Sequence, residues 1–136
     1  MALKEVTKQI NGKTVFCRQW PASKAMVNKA KLIQIGGTTV MPFVDGIADI
    51  VAMMELERLA KPDELVSLIR EFVCEVRVDG KEILPAQFDS TYKGNLWEVV
   101  ELFAFACEVQ YKDFFELGFN AHSQLYQSAA NKKNQE

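Results

Sequence analysis

Residues 95–117, NLWEVVELFAFACEVQYKDFFEL, constrain the rest of the chain most strongly. Leu96, Val99, Val100, Phe103, Ala106, Cys107, Gln110 and Phe114 recur at helical spacing, and Trp97, Leu102, Phe105 and Val109 fill most of the other faces. A helix that is apolar nearly all round must be enclosed, since none of its sides gains from facing water. Gly94 breaks the chain before it, Asn95 is placed to cap the free amides, and Glu98 follows at capping-box spacing. A membrane span is the rival. Glu98, Glu101, Glu108, Lys112 and Asp113 interrupt it, however, and the longest apolar run, 102–107, falls far short of the roughly 20 residues a bilayer requires. The pattern predicts a central core helix near 95–117. Gly118 is expected to end or kink it, with Asn120 capping a short terminal helix over 121–129.

The other segments predict partners for that helix. Asn11-Gly12 between two alternating runs is a β-hairpin signal. With a two-residue turn, Val6 faces Cys17, Lys8 faces Val15, Thr7 faces Phe16, Glu5 faces Arg18 and Leu3 faces Trp20; the Glu5–Arg18 pair has the sign that supports this register. Pro21 opens a helix whose stripe is read as Ala22, Ala25, Met26, Ala30 and Ile33, with Lys24, Asn28 and Lys31 outward, and Gly36-Gly37 stops it. A second helical pattern runs over 42–60 through Phe43, Ile47, Ile50, Val51 and Met54, extended by Leu56 and Leu59, with Gly46 blurring its start. Pro62-Asp63-Glu64 begins a third helix with Leu65, Leu68, Ile69 and Phe72 on one face. Residues 74–78 fit a short strand entering the Asp79-Gly80 turn or a continuation of the helix, and 85–93 reads as a loop. The expected fold is mainly α with an N-terminal hairpin (α+β), one domain over 1–130 and a polar, frayed tail at 131–136.

Composition narrows the chemistry. With 49% apolar and 25% charged residues in 136, the chain can bury an ordinary core. The opening MALKEVTKQ lacks the apolar run of a signal peptide. Three widely spaced cysteines, no CxxC pair and a single histidine, His122, argue against a zinc site and a disulfide framework, and for a reducing compartment. No phosphate-loop motif occurs, and no cysteine or serine stands in a motif with His122. Asp45, Asp49 and Glu55 read as a solvated acidic face. No enzyme, catalytic residue, cofactor or metal is expected. Seven basic residues and one acid precede residue 36, whereas nine basic and seventeen acidic residues follow. Such a split fits either matched charged faces within the molecule or a surface for a charged partner. A small adaptor or a nucleic-acid-binding regulatory protein is the alternative reading, its nucleic-acid form disfavoured by a sequence pI of about 5.5 and by the scattered lysines. A binding protein remains, with Met26, Met41, Met53 and Met54 as adaptable apolar surface or as ordinary core filler.

Three stretches together resemble the tail assembly chaperones of long-tailed bacteriophages. They are the hairpin running into Gln19-Trp20-Pro21-Ala22-Ser23-Lys24-Ala25 and on to Leu32-Ile33-Gln34-Ile35-Gly36, the middle of short helices, and Phe88-Asp89-Ser90-Thr91-Tyr92-Lys93-Gly94-Asn95-Leu96 leading to Tyr111-Lys112-Asp113-Phe114-Phe115. Asp113 stands where the family has an asparagine. The resemblance implies a non-enzymatic role in virion assembly in the host cytoplasm. Such proteins bind the tape measure protein, keep it soluble, help bring tail tube subunits to it and are absent from the finished particle. It also implies possible homo-oligomers, no membrane, and often a longer form made by ribosomal frameshifting, with which the lysine-rich 131–134 is compatible. The residues expected to meet partners are Trp20, Met26, Phe43, Met53, Met54, Phe115 and Phe119, each of which would otherwise be core.

Overall fold

A computed structural model describes the backbone of residues 4–135 and the side chains of 4–130. The chain runs β1 (Glu5–Ile10), β2 (Lys13–Arg18), α1 (Ala22–Gly36), a 3-10 turn (Gly37–Val40), α2 (Met41–Val44), α3 (Ile50–Leu59), α4 (Pro62–Val73), β3 (Val76–Val78) and β4 (Lys81–Glu82). A 3-10 turn (Pro85–Gln87), one helical turn α5 (Phe88–Thr91) and the long α6 (Leu96–Gln135) complete it. It is a mainly helical α+β fold entered through a hairpin.

Asn11 and Gly12 both take positive φ (54° and 76°), the conformation that matches a two-residue turn to strand twist. The register is the expected one: Glu5 pairs with Arg18, Val6 with Cys17, Thr7 with Phe16 and Lys8 with Val15. The Leu3–Trp20 pairing lies outside the described residues. Residues 76–78 resolve as strand because Val78 and Val76 pair with Val15 and Cys17 of β2, a long-range ladder that local periodicity does not reveal. Asp79 and Gly80 turn the chain into β4 with positive φ again, giving a sheet of order β1-β2-β3-β4.

The first half of α6 is the axis of the core. Residues 102–107 are all buried. Phe103 meets Phe43 (5.3 Å between centroids) and Phe72 (5.4 Å), and Phe72 in turn meets Trp20 edge-on at 4.8 Å and Tyr111 at 6.0 Å. The α4 stripe Leu65, Leu68, Ile69 and Phe72 is buried as its spacing predicts. Polar fastenings join the hairpin exit to α6. The Gln110 side chain accepts from Trp20 N (2.8 Å) and donates to the Arg18 carbonyl (2.9 Å), Gln19 donates to the Val109 carbonyl, and Tyr111 Oη donates to the Ala25 carbonyl.

The uneven charge is matched within the molecule. Lys4 pairs with Asp113, Lys8 with Glu108 and Lys13 with Glu98, while Asn11 donates to Glu101, so β1 and its turn run antiparallel along α6. Glu98 is buried beneath Lys13 and also accepts from the Asn95 side chain at 3.3 Å, which ties the start of α6 to the hairpin. Lys24 lies 4.0 Å from Glu71, and Arg18 pairs with Glu5.

Four expectations require correction. First, α6 neither ends nor kinks at Gly118. It continues through the expected terminal helix and the tail to Gln135, because nothing packs on Gly118 to force a break and glycine alone only weakens a helix. Second, α1 is rotated from its expected face. Asn28 (2% exposed), Leu32 and Gly36 point inward, whereas Met26 (64%) and Ile33 (40%) face out. Asn28 can be buried because its amide donates to Glu71 of α4. Third, 42–60 is two helices. The chain breaks around Gly46 (φ 79°), against which the Glu108 carboxylate packs, and Asp49 caps α3 by accepting from Val51 N and Ala52 N. Finally, 85–93 is a 3-10 turn and a helical turn rather than plain loop.

Candidate functional site

Among the described residues Cys17 and Cys107 are buried and Cys74 is partly buried. Burial and the nearby Glu75 push the Cys17 thiol up to about 12, burial drives Cys107 well above its ordinary value, and burial also raises Cys74. None is therefore a thiolate at neutral pH. His122 stands exposed on α6 against the Tyr126 ring. Among the described residues no group of three His, Cys, Asp or Glu is placed to hold a metal ion, and no helix is long and apolar enough to cross a membrane.

The unusual surface is apolar. Helices α3, α4 and α5 and the first turn of α6 enclose an open groove of about 580 Å³. Its floor is Leu65, Ile69, Phe88 and Val99, and its walls are Ile50, Met53, Val66, Leu96, Trp97 and Val100. Glu57, Asp89 and Lys93 supply charge at this lining. Asp49 positions the α3 wall by fixing where that helix starts, and Gly94 (φ 76°) turns the chain so that Leu96 and Trp97 enter α6 at the groove. Beside it α3 carries a further exposed face of Val51, Met54 and Leu59. Elsewhere Met26 and Val27 of α1 are exposed, and Lys29 sits 3.4 Å above the Phe114 ring where α6 leaves the core.

The residues expected to meet partners fall into two sets. Trp20 (4% exposed) and Phe43 (0%) are core aromatics and offer no surface, since each is enclosed by the Phe72–Phe103 cluster. Met53 lines the groove, Met54 (62%) lies beside it, Met26 is on α1, and Phe115 (half-buried) and Phe119 are on α6. These five lie on three helices, α1, α3 and α6. Sequence reasoning missed Leu96, Trp97 and Val66 as surface. Val66 falls off the α4 stripe, which was a usable signal. Leu96 and Trp97 belong to an all-round apolar helix, in which periodicity alone does not separate the covered turns from the uncovered first one.

No curated protein and no solved structure matches the chain. A family model described as "Phage tail assembly chaperone protein, TAC" matches residues 11–121, from the hairpin turn to just beyond Gly118. This span includes the α6 core and every wall of the groove. By that match over most of its length, the chain belongs to the phage tail assembly chaperone family.

Proposed function

We propose that the protein is a non-enzymatic chaperone that binds the tape measure protein, keeps that long helical client soluble and helps bring tail tube subunits to it. The observation that carries this reading is the apolar groove of α3–α6 in a chain of this family. A trough walled by Ile50, Met53, Val66 and Trp97 suits an amphipathic helix laid in lengthwise, and unbranched methionines adapt to varied side chains. Met26, Met53, Met54, Phe115 and Phe119 are the proposed partner contacts, with Leu96, Trp97 and Val66 added. The unit acts in the host cytoplasm as one domain over residues 1–130 and is left out of the finished particle. Weak self-association would add avidity along a long client.

The test is co-expression with the tape measure protein of the same phage. Soluble co-purification is expected, and Val66→Asp, at a half-exposed groove position, should abolish it while leaving the thermal midpoint unchanged. A client that stays insoluble beside the wild-type protein refutes the chaperone reading. Full binding by Val66→Asp refutes the groove as its seat.

A further inference from the structure

The second half of α6 leaves the domain. Every residue from 116 to 130 is exposed, a projection of about 22 Å at 1.5 Å per residue. Leu117 and Leu125 lie along one edge of this segment in line with Phe114 just before it, and Phe119 and Tyr126 lie along the other in line with the half-buried Phe115. At 100° per residue the two edges bound an arc of about 200°, twice the stripe that packing on a single neighbour requires, with Gly118, Ala129 and His122 between them. Asn120, Gln124 and Gln127 occupy the remainder, and the segment holds one acid, Glu116, and no lysine or arginine.

Such a helix is poorly self-supporting. Phe, Gly, Asn, His, Ser and Tyr all rank below alanine as helix formers, and Gly118 has nothing within 4 Å of where a Cβ would sit, so no packing offsets its freedom. Isolated helices of this length are marginal in water even when alanine-rich, and here only continuity with the buried half of α6 supplies a nucleus. We infer that residues 116–130 are a conditional helix, completed when two apolar helices of the client flank its two edges, so that folding and binding occur in one step. This rests on the chaperone reading above. Five exposed large apolar side chains, Phe114, Leu117, Phe119, Leu125 and Tyr126, each leaving on the order of 100 Å² in water, offer roughly 500 Å², more than half the ~800 Å² per partner of a stable complex. The nearly uncharged surface suits apolar helices. A second copy paired overhang to overhang would cover one edge and leave the other wet.

Hydrogen exchange on the full chain, alone and with the tape measure protein, tests the inference. Alone, amides 119–130 should be protected less than about tenfold, against more than about a thousandfold at 99–110. In the complex, protection at 119–130 should rise by roughly a hundredfold. Leu117→Asp/Leu125→Asp and Phe119→Asp/Tyr126→Asp should each weaken the complex at least about tenfold without changing exchange at 99–110. Strong protection at 119–130 in the dilute free chain overturns the conditional helix. Protection that rises with the protein's own concentration instead assigns the surface to a second copy, and one neutral edge overturns the two-helix partner. A complex that forms while 119–130 stays unprotected refutes this inference alone. No complex with any form of the chain refutes the chaperone reading and the client as occupant together.

Discussion

Replacing Gln110 by leucine isolates what fastens the hairpin to the core. The side chain is almost fully buried, and leucine approximates its volume, so loss of packing contributes little. What changes is hydrogen bonding. Trp20 N–H loses an acceptor at 2.8 Å in a buried setting, and the Arg18 carbonyl loses a donor at 2.9 Å in a partly buried one. An orphaned buried amide costs about 1–3 kcal/mol and the less buried carbonyl about 1 kcal/mol, so Gln110→Leu should destabilise by about 2–4 kcal/mol. Urea unfolding followed by circular dichroism at pH 7 measures this, with the m-value required to stay constant for the comparison to hold. Lys4→Ala is the control: it removes an exposed ion pair with Asp113 and should cost about 0.5 kcal/mol or less. A Gln110→Leu loss below about 0.5 kcal/mol would show that the hairpin is held by apolar burial alone and that the fastening argument is wrong.

Gly46→Ala should cost about 2 kcal/mol in the same assay. It places a Cβ at positive φ and within 2.6 Å of Glu108 Oε2, displacing the carboxylate that pairs with Lys8; an unchanged midpoint contradicts this. Met54→Asp should leave stability within about 0.5 kcal/mol, whereas Phe43→Asp should prevent folding, as circular dichroism melts will report. Stability should also fall in alkali. Cys17 is raised to about 12 by burial and Glu75, Tyr92 to about 12 by burial and Glu98, and Cys107 and Tyr111 are raised by burial, so the folded chain holds protons that the unfolded chain releases. Their contribution is complete below about pH 8 and is lost as pH rises toward 12, by up to about 1.4 kcal/mol per pH unit for each titrating group; a flat unfolding midpoint from pH 8 to 10.5 refutes it.

What the sequence reveals of this fold follows the range of the interaction that decides each feature. The hairpin register was legible because Asn11-Gly12 and the Glu5–Arg18 pair specify it within fourteen residues of chain. The α4 face was legible because Leu65, Leu68, Ile69 and Phe72 repeat at helical spacing. The α1 face was not. Counting apolar residues turns Met26 and Ile33 inward, and only Glu71 of α4 makes burial of Asn28 tolerable. The groove was hidden for a similar reason. Its lining comes from four helices, and whether Leu96 and Trp97 are covered depends on where α3 and α5 stop. The length of α6 was misread because glycine lowers helix stability without fixing an end, and a true end requires a capping interaction that Gly118 lacks.

The pairing of β1 with α6 has a consequence for how the chain finds its fold. From Lys4 to Ile10, which sits opposite Lys13, the strand advances about 20 Å at 3.3–3.4 Å per residue. From Asp113 to Glu98 the helix advances about 22 Å at 1.5 Å per residue. Two rulers of different pitch coincide only at chosen marks, as on a vernier scale. A slip of one residue in the hairpin turns its side chains to the wrong face. A slip of the whole hairpin along α6 by two residues moves every lysine by about 7 Å, more than a helical turn, and strands Glu98 in the interior without its cation. The helix thus acts as a gauge against which a misaligned hairpin fails to seat.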